Sequence, residues 1–212
     1  MTGSAELLAR HVAVRRGILL SYATIGYNSL EAIGSLIAGV LSGSVALVGF
    51  GIDSVIEVIA SVAAQWRLRT DANLSRRFES EVLTLRIVGW CFVALATYVT
   101  VDSVKTLYSA DAPDRSWFGF IVLALSVIVM PALAWAKRQV AVKMQSAALE
   151  AEAKQTSLCA YLSVIALGGV ALNAFLGWWW ADPAAALAMV PIIVREGIHG
   201  IRLQPKAFDT CC

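Results

Sequence analysis

Short segments carrying nearly all of the charge divide this chain into apolar stretches of membrane-crossing length. Reading for apolar runs of about 18–25 residues gives six: residues 18–41, 45–66, 85–107, 117–135, 158–176 and 178–194. Inside lipid such a run must satisfy its own backbone, which a helix does and an isolated strand does not. The pattern predicts an all-α fold, a polytopic membrane protein with six transmembrane helices. Composition agrees. Residues of the set AVILMFWYC make up 58% and charged residues 15%, against about 45–50% and about 25% in a soluble chain. That is too little charge to cover a globule, which excludes a disordered chain, a collagen-like chain and a soluble enzyme with an ordinary exterior. A net charge of +2 gives no footprint for nucleic acid. Cys91, Cys159, Cys211 and Cys212 contain no CxxC pair, so no disulfide framework or zinc finger follows.

The basic residues set the expected topology. With the N-terminus cytoplasmic, fifteen of the seventeen lysines and arginines fall on the inner side, and only Lys105 and Arg115 fall outside. Both termini are therefore expected in the cytoplasm. The organisation that follows is a cytoplasmic N-terminal segment over 1–17, a six-helix membrane domain over 18–203 and a short cytoplasmic tail over 204–212. Ser42-Gly43-Ser44 reads as a tight outer turn. Trp178, Trp179, Trp180 and Trp117 read as outer interfacial anchors, and Trp66 and Trp135 as inner ones. The long polar stretches are 67–84 and 137–156, the second rich in helix formers.

Three acids lie where acids are expensive. Each ionisable group near a span centre costs about 2.5–3.5 kcal/mol on insertion scales. Glu31 is in the first span, and Asp53 and Glu57 are in the second, with no lysine or arginine in those spans to neutralise them. Asp53 and Glu57 are four residues apart, on one helix face. At about 1.5 Å per residue, Asp53 lies about 15 Å below the Gly43 turn, near the midplane. Glu31, twelve residues before Gly43, reaches a similar depth on the adjacent antiparallel helix, and Asn28 is one turn further inward. Hard oxygen donors at this density suit a divalent cation. A plainer reading stands beside this one. A lone membrane carboxyl or amide can be hydrogen-bonding glue between helices, and the Asp53/Glu57 pair could relay protons without a metal.

The fifth span adds Gln155, Thr156, Cys159, Tyr161 and Ser163, with Gln155 and Cys159 four apart. A thiolate is a strong zinc ligand and an amide oxygen a weak one, while a single membrane cysteine is otherwise a small hydrophobe. Cys159 is nineteen residues before Trp178, which puts it nearer the inner face than Asp53 unless the helices tilt.

At these residues the chain resembles the transmembrane domain of the cation diffusion facilitator family. Ser42-Gly43-Ser44-Val45-Ala46-Leu47 followed by Ile52-Asp53-Ser54-Val55-Ile56-Glu57 resembles its second-helix signature. Trp180-Ala181-Asp182-Pro183 resembles the opening of its sixth helix, and residues 151–159 occupy the place of its fifth-helix motif. The resemblance implies a proton-coupled antiporter, homodimeric, exporting zinc or another divalent ion. It also implies a tetrahedral site with two ligands from the second helix and two from the fifth, by position Asp53, Glu57, Gln155 and Cys159. Glu57 stands where the family has Asp, and Gln155 and Cys159 stand where it has His and Asp. The family's cytoplasmic C-terminal domain is expected to be absent, as in its small branch.

The expected function is secondary transport: export of a divalent metal, zinc foremost, by alternating access against protons. Metal is cargo and no obligatory cofactor is expected. Glu31 and Asn28 would support the site or couple protons. The expected partners are the metal ion, protons, the bilayer and a second copy of the chain; nucleic acid is not one. The expected location is a bacterial-type plasma (inner) membrane. The alternative is a membrane protein that binds zinc without moving it and modulates a partner. An enzyme is not expected, since no HExxH, Ser/His pair or nucleotide loop is present. His11 and His199 read as solvated or interfacial residues, and Asp182 as a cap of the sixth helix.

Overall fold

The computed structural model describes residues 2–69, 74–144 and 147–202, and all of its regular structure is helical. Six helices follow in order: α1 (Thr2–Ser42), α2 (Val45–Arg69), α3 (Leu74–Ser109), α4 (Trp117–Met144), α5 (Ala147–Leu176) and α6 (Ala181–Arg202). Five of them, α2 to α6, contain stretches apolar and long enough to cross a membrane: Val45–Val62, Arg86–Ser109, Trp117–Val142, Glu152–Leu176 and Ala181–Arg202.

The exception is α1, where the apolar run over 18–41 predicts a full span. Its polar residues explain the difference. Ser21, Thr24, Asn28, Glu31 and Ser35 dilute the hydropathy, and all five are buried against the bundle while Leu30, Ile33, Ile37 and Val40 face outward. A related pattern recurs elsewhere. Ser61, Ser103, Ser126 and Ser163 are buried beside a hydrophobic core that includes Phe50, Leu123 and Met130, while Trp90, Val101, Ile128 and Phe175 are exposed. An apolar exterior facing lipid, with the polar side chains turned into the bundle, accounts for this arrangement.

The helices outrun the predicted spans. α2 continues to Arg69 and α3 already begins at Leu74, which contracts the expected loop over 67–84. The stretch 137–156 divides between the end of α4 and the start of α5, so its helix formers extend two spans instead of forming a separate segment. α6 begins at Ala181 and runs to Arg202, not over 178–194, and the three tryptophans lie in the turn before it. Pro131 and Pro191 lie inside α4 and α6 without ending them. Cys211, Cys212 and the tail over 204–212 lie outside the described residues.

The three connections α1–α2, α3–α4 and α5–α6 gather at one end and are tied together. Gly43 ends α1 at φ +67°, a left-handed position that suits glycine, and the Ser44 amide returns to the Gly39 carbonyl at 3.0 Å. The Asp114 amide donates to the Ser42 carbonyl at 2.7 Å, and the Asn173 Nδ2 donates to the Pro113 carbonyl at 3.0 Å. Trp117 and Phe175 meet edge to face at 5.3 Å, joining α4 to α5 at this level. Below it, α3 and α6 cross closely at Gly89 and Gly197. A Cβ on Gly89 would stand 2.8 Å from the Gly197 carbonyl oxygen.

Candidate metal centre

Three helices each turn a polar stripe toward the bundle interior. On α1 the stripe is Thr24, Asn28, Glu31 and Ser35, and on α5 it is Glu152, Thr156, Cys159 and Ser163, all buried. Both follow intervals of three and four residues, the spacing of one helix face. Between them α2 contributes Asp53, Ser54 and Glu57, again buried, while Val55 and Ile59 face outward. The α1–α2 hairpin makes the stripes of α1 and α2 neighbours, and α5 packs against α2.

Two of the acids are held in the same way. Ser54 Oγ donates to Glu31 Oε2 at 2.8 Å, and Thr156 Oγ1 donates to Glu57 Oε1 at 2.7 Å. In each case the second oxygen, Glu31 Oε1 or Glu57 Oε2, is buried without a hydrogen-bond partner. Both side-chain polar atoms of Asn28 are in the same state. An orphaned buried polar atom costs about 1–3 kcal/mol, and a bound ion or water is one way such an atom is completed. Each carboxyl thus has one oxygen fastened and one left over.

Asp53 lies beside the Cys159 thiol, with Glu57 and Glu31 near the same group. The depth offset expected from residue counting is therefore closed by how α5 crosses α2. Among the described residues, no three His, Cys, Asp or Glu side chains converge tightly enough to hold an ion in this conformation. The donors share one region without forming a finished coordination shell.

The other expected residues separate clearly. Gln155 is half-buried beside the stripe, and the residue bonded to Glu57 is its neighbour Thr156. Tyr161 faces outward. His199 is exposed, and the His11 side chain lies outside the described residues. Asp182, in the first turn of α6, turns its carboxylate to another helix. It accepts from Ser44 Oγ at 2.5 Å and from the Val45 and Ala46 amides at 2.9 and 3.4 Å, so it caps α2.

Two residues take part that the sequence does not single out. Lys137, which in the sequence bears only on topology, is fully buried, with its Nζ 3.1 Å from Thr156 Oγ1 and 3.4 Å from Glu152 Oε2. Thr156 reads in the sequence as one member of a polar run. Its spacing from Glu152 and Cys159 is the signal that finds it. Nothing in the spacing within α5 points to Lys137, which comes from α4.

The chain has recognisable relatives. It matches the cation efflux transmembrane domain over residues 21–202. It is 26% identical over 203 residues to a cadmium, cobalt and zinc/H(+)-K(+) antiporter of Bacillus subtilis, covering 88% of this chain and 61% of the relative. The Bacillus velezensis protein of the same description is 25% identical over 201 residues, covering 87% of this chain and 60% of the relative. An uncharacterised transporter of Synechocystis is 24% identical over 168 residues, covering 76% of this chain and 54% of the relative. The chain thus spans little more than half the length of these relatives. The domain match extends over nearly the whole helical bundle, and on that ground this chain belongs to the cation efflux family.

Proposed function

We propose that this protein exports a divalent metal cation, zinc foremost, across a plasma membrane in exchange for protons. The observation that carries the reading is the pair of half-held carboxyls. Glu31 and Glu57 each keep one buried oxygen unpartnered, in the same region as Asp53 and Cys159. In this reading Asp53, Glu57 and Cys159 take the ion, Gln155 stands by as a fourth donor, and Glu31 and Asn28 support the shell from α1. Oxygen with one sulfur donor suits zinc and cadmium better than magnesium or calcium. The named activity of the two Bacillus relatives points the same way.

Coupling follows from competition for the same atoms. Carboxylates and a thiol ligate only when deprotonated, so an arriving ion expels protons and a proton expels the ion. The effect is reciprocal, since protons weaken metal binding as much as metal weakens proton binding. Rocking of helices about the site then exposes it alternately to the two sides. The distribution of basic residues supports cytoplasmic termini, and the working unit in this reading is a homodimer. Vesicles reconstituted with purified protein and loaded with zinc-sensitive and pH-sensitive dyes test the exchange. Zinc and protons should move in opposite directions, each driven by the other's gradient. Zinc movement without proton countermovement would refute the exchange, and no zinc movement would refute transport.

A further inference from the structure

We propose that Lys137 is a positioning residue for the cargo site, acting through Thr156 on Glu57; this rests on the reading of Asp53 and Glu57 as cargo ligands. An ammonium buried in a helical bundle is costly unless paired and hydrogen-bonded, and Lys137 is fully buried. Its charge is met by Glu152 Oε2 at 3.4 Å. That oxygen also accepts from Ser21 Oγ at 3.0 Å, which ties the pair to α1. The remaining reach of Lys137 goes to Thr156 Oγ1 at 3.1 Å.

Thr156 converts this anchor into an orientation. A hydroxyl has one proton to give and two lone pairs to receive with. Two acceptors stand within reach of the Thr156 proton: Glu57 Oε1 at 2.7 Å and the Glu152 carbonyl at 3.0 Å. Lys137 donates into the hydroxyl oxygen and fixes its place, and the nearer acceptor is the carboxyl oxygen. Glu57 Oε1 is thereby fastened while Oε2 stays buried and free. The Glu152 carbonyl competes for the same proton, so the contact from Lys137 matters for keeping the hydroxyl on Glu57. The chain of contacts links α1, α4, α5 and α2 through one ammonium.

The test compares Thr156→Val, Thr156→Ser, the charge-free pair Lys137→Met with Glu152→Gln, and the triple Lys137→Met, Glu152→Gln, Thr156→Val. Initial zinc uptake is measured in vesicles under an imposed pH gradient. Thr156→Val and the charge-free pair should each raise the half-saturating zinc concentration roughly tenfold, the loss of one hydrogen bond to a carboxylate. Maximal rate should change little. The triple should be no worse than either alone, because all act through one chain, and Thr156→Ser should restore wild-type behaviour. Half-saturation at the wild-type value for Thr156→Val, or multiplying effects in the triple, would overturn the proposal. Thr156→Val against Thr156→Ser decides the matter if the Lys137 variants do not fold. Asp53→Ala with Glu57→Ala in the same vesicles separates the two readings. Uptake that survives there overturns the cargo site itself, whereas its loss beside unchanged Thr156→Val kinetics overturns only the role of Lys137.

Discussion

Ser44 and Asp182, 138 residues apart in the chain, meet at 2.5 Å, and the same carboxylate receives the first amides of α2. Ser44 also caps α2 from its own side, accepting the Leu47 amide at 3.2 Å. The start of α2 is therefore held from two places in the chain, and α2 carries Asp53 and Glu57. A cap is worth about 1 kcal/mol and an anion at a helix N-terminus adds about 0.3–1 kcal/mol. Asp182→Asn should lower stability by about 1–2 kcal/mol in a thermal melt of the detergent-solubilised protein. Ser44→Ala combined with it should cost less than the sum of the two.

Gly89 and Gly197 set the approach of α3 to α6. Gly89→Val should destabilise the protein by about 1–3 kcal/mol, the usual range for overpacking, because the new Cβ meets backbone of the facing helix. Gly168 is the control, since a Cβ added there would meet nothing within 4 Å. Gly168→Ala should leave the melting temperature unchanged or slightly raise it.

Cys159 supplies the sulfur in the proposed shell, and soft metals lose most when a thiolate is removed. Cys159→Ser should weaken cadmium competition against zinc uptake about tenfold or more while leaving manganese competition nearly unchanged. Equal shifts for the two metals would show that the thiol is not a ligand.

The orientation inferred from the basic residues is open to labelling. Asp114 is in the connection between α3 and α4, and Lys154 is exposed on α5 near its N-terminal end. In a cysteine-free background, Asp114→Cys should react with an impermeant maleimide from the external face and Lys154→Cys only from the cytoplasmic face. The reverse result would invert the topology.

Much of this is legible in the sequence because lipid punishes misplacement. The depth of Glu31, Asp53 and Glu57 follows from counting residues from Gly43, and the structure buries all three. Counting along single helices fails at crossings. It puts Cys159 too far inward, although it is a neighbour of Asp53. It gives Asp182 to its own helix, although the carboxylate reaches α2. Lys137 is the least legible. A lysine near the end of a span ordinarily snorkels to the interface, and only the placement of Glu152 and Ser21 on neighbouring helices turns this one inward.

The central claim is that the buried acids of α2 carry the cargo. Zinc uptake into vesicles under an imposed pH gradient should be strong for the wild-type protein and fall to the level of protein-free vesicles for Asp53→Ala with Glu57→Ala. Uptake by the double variant equal to wild type would contradict the account.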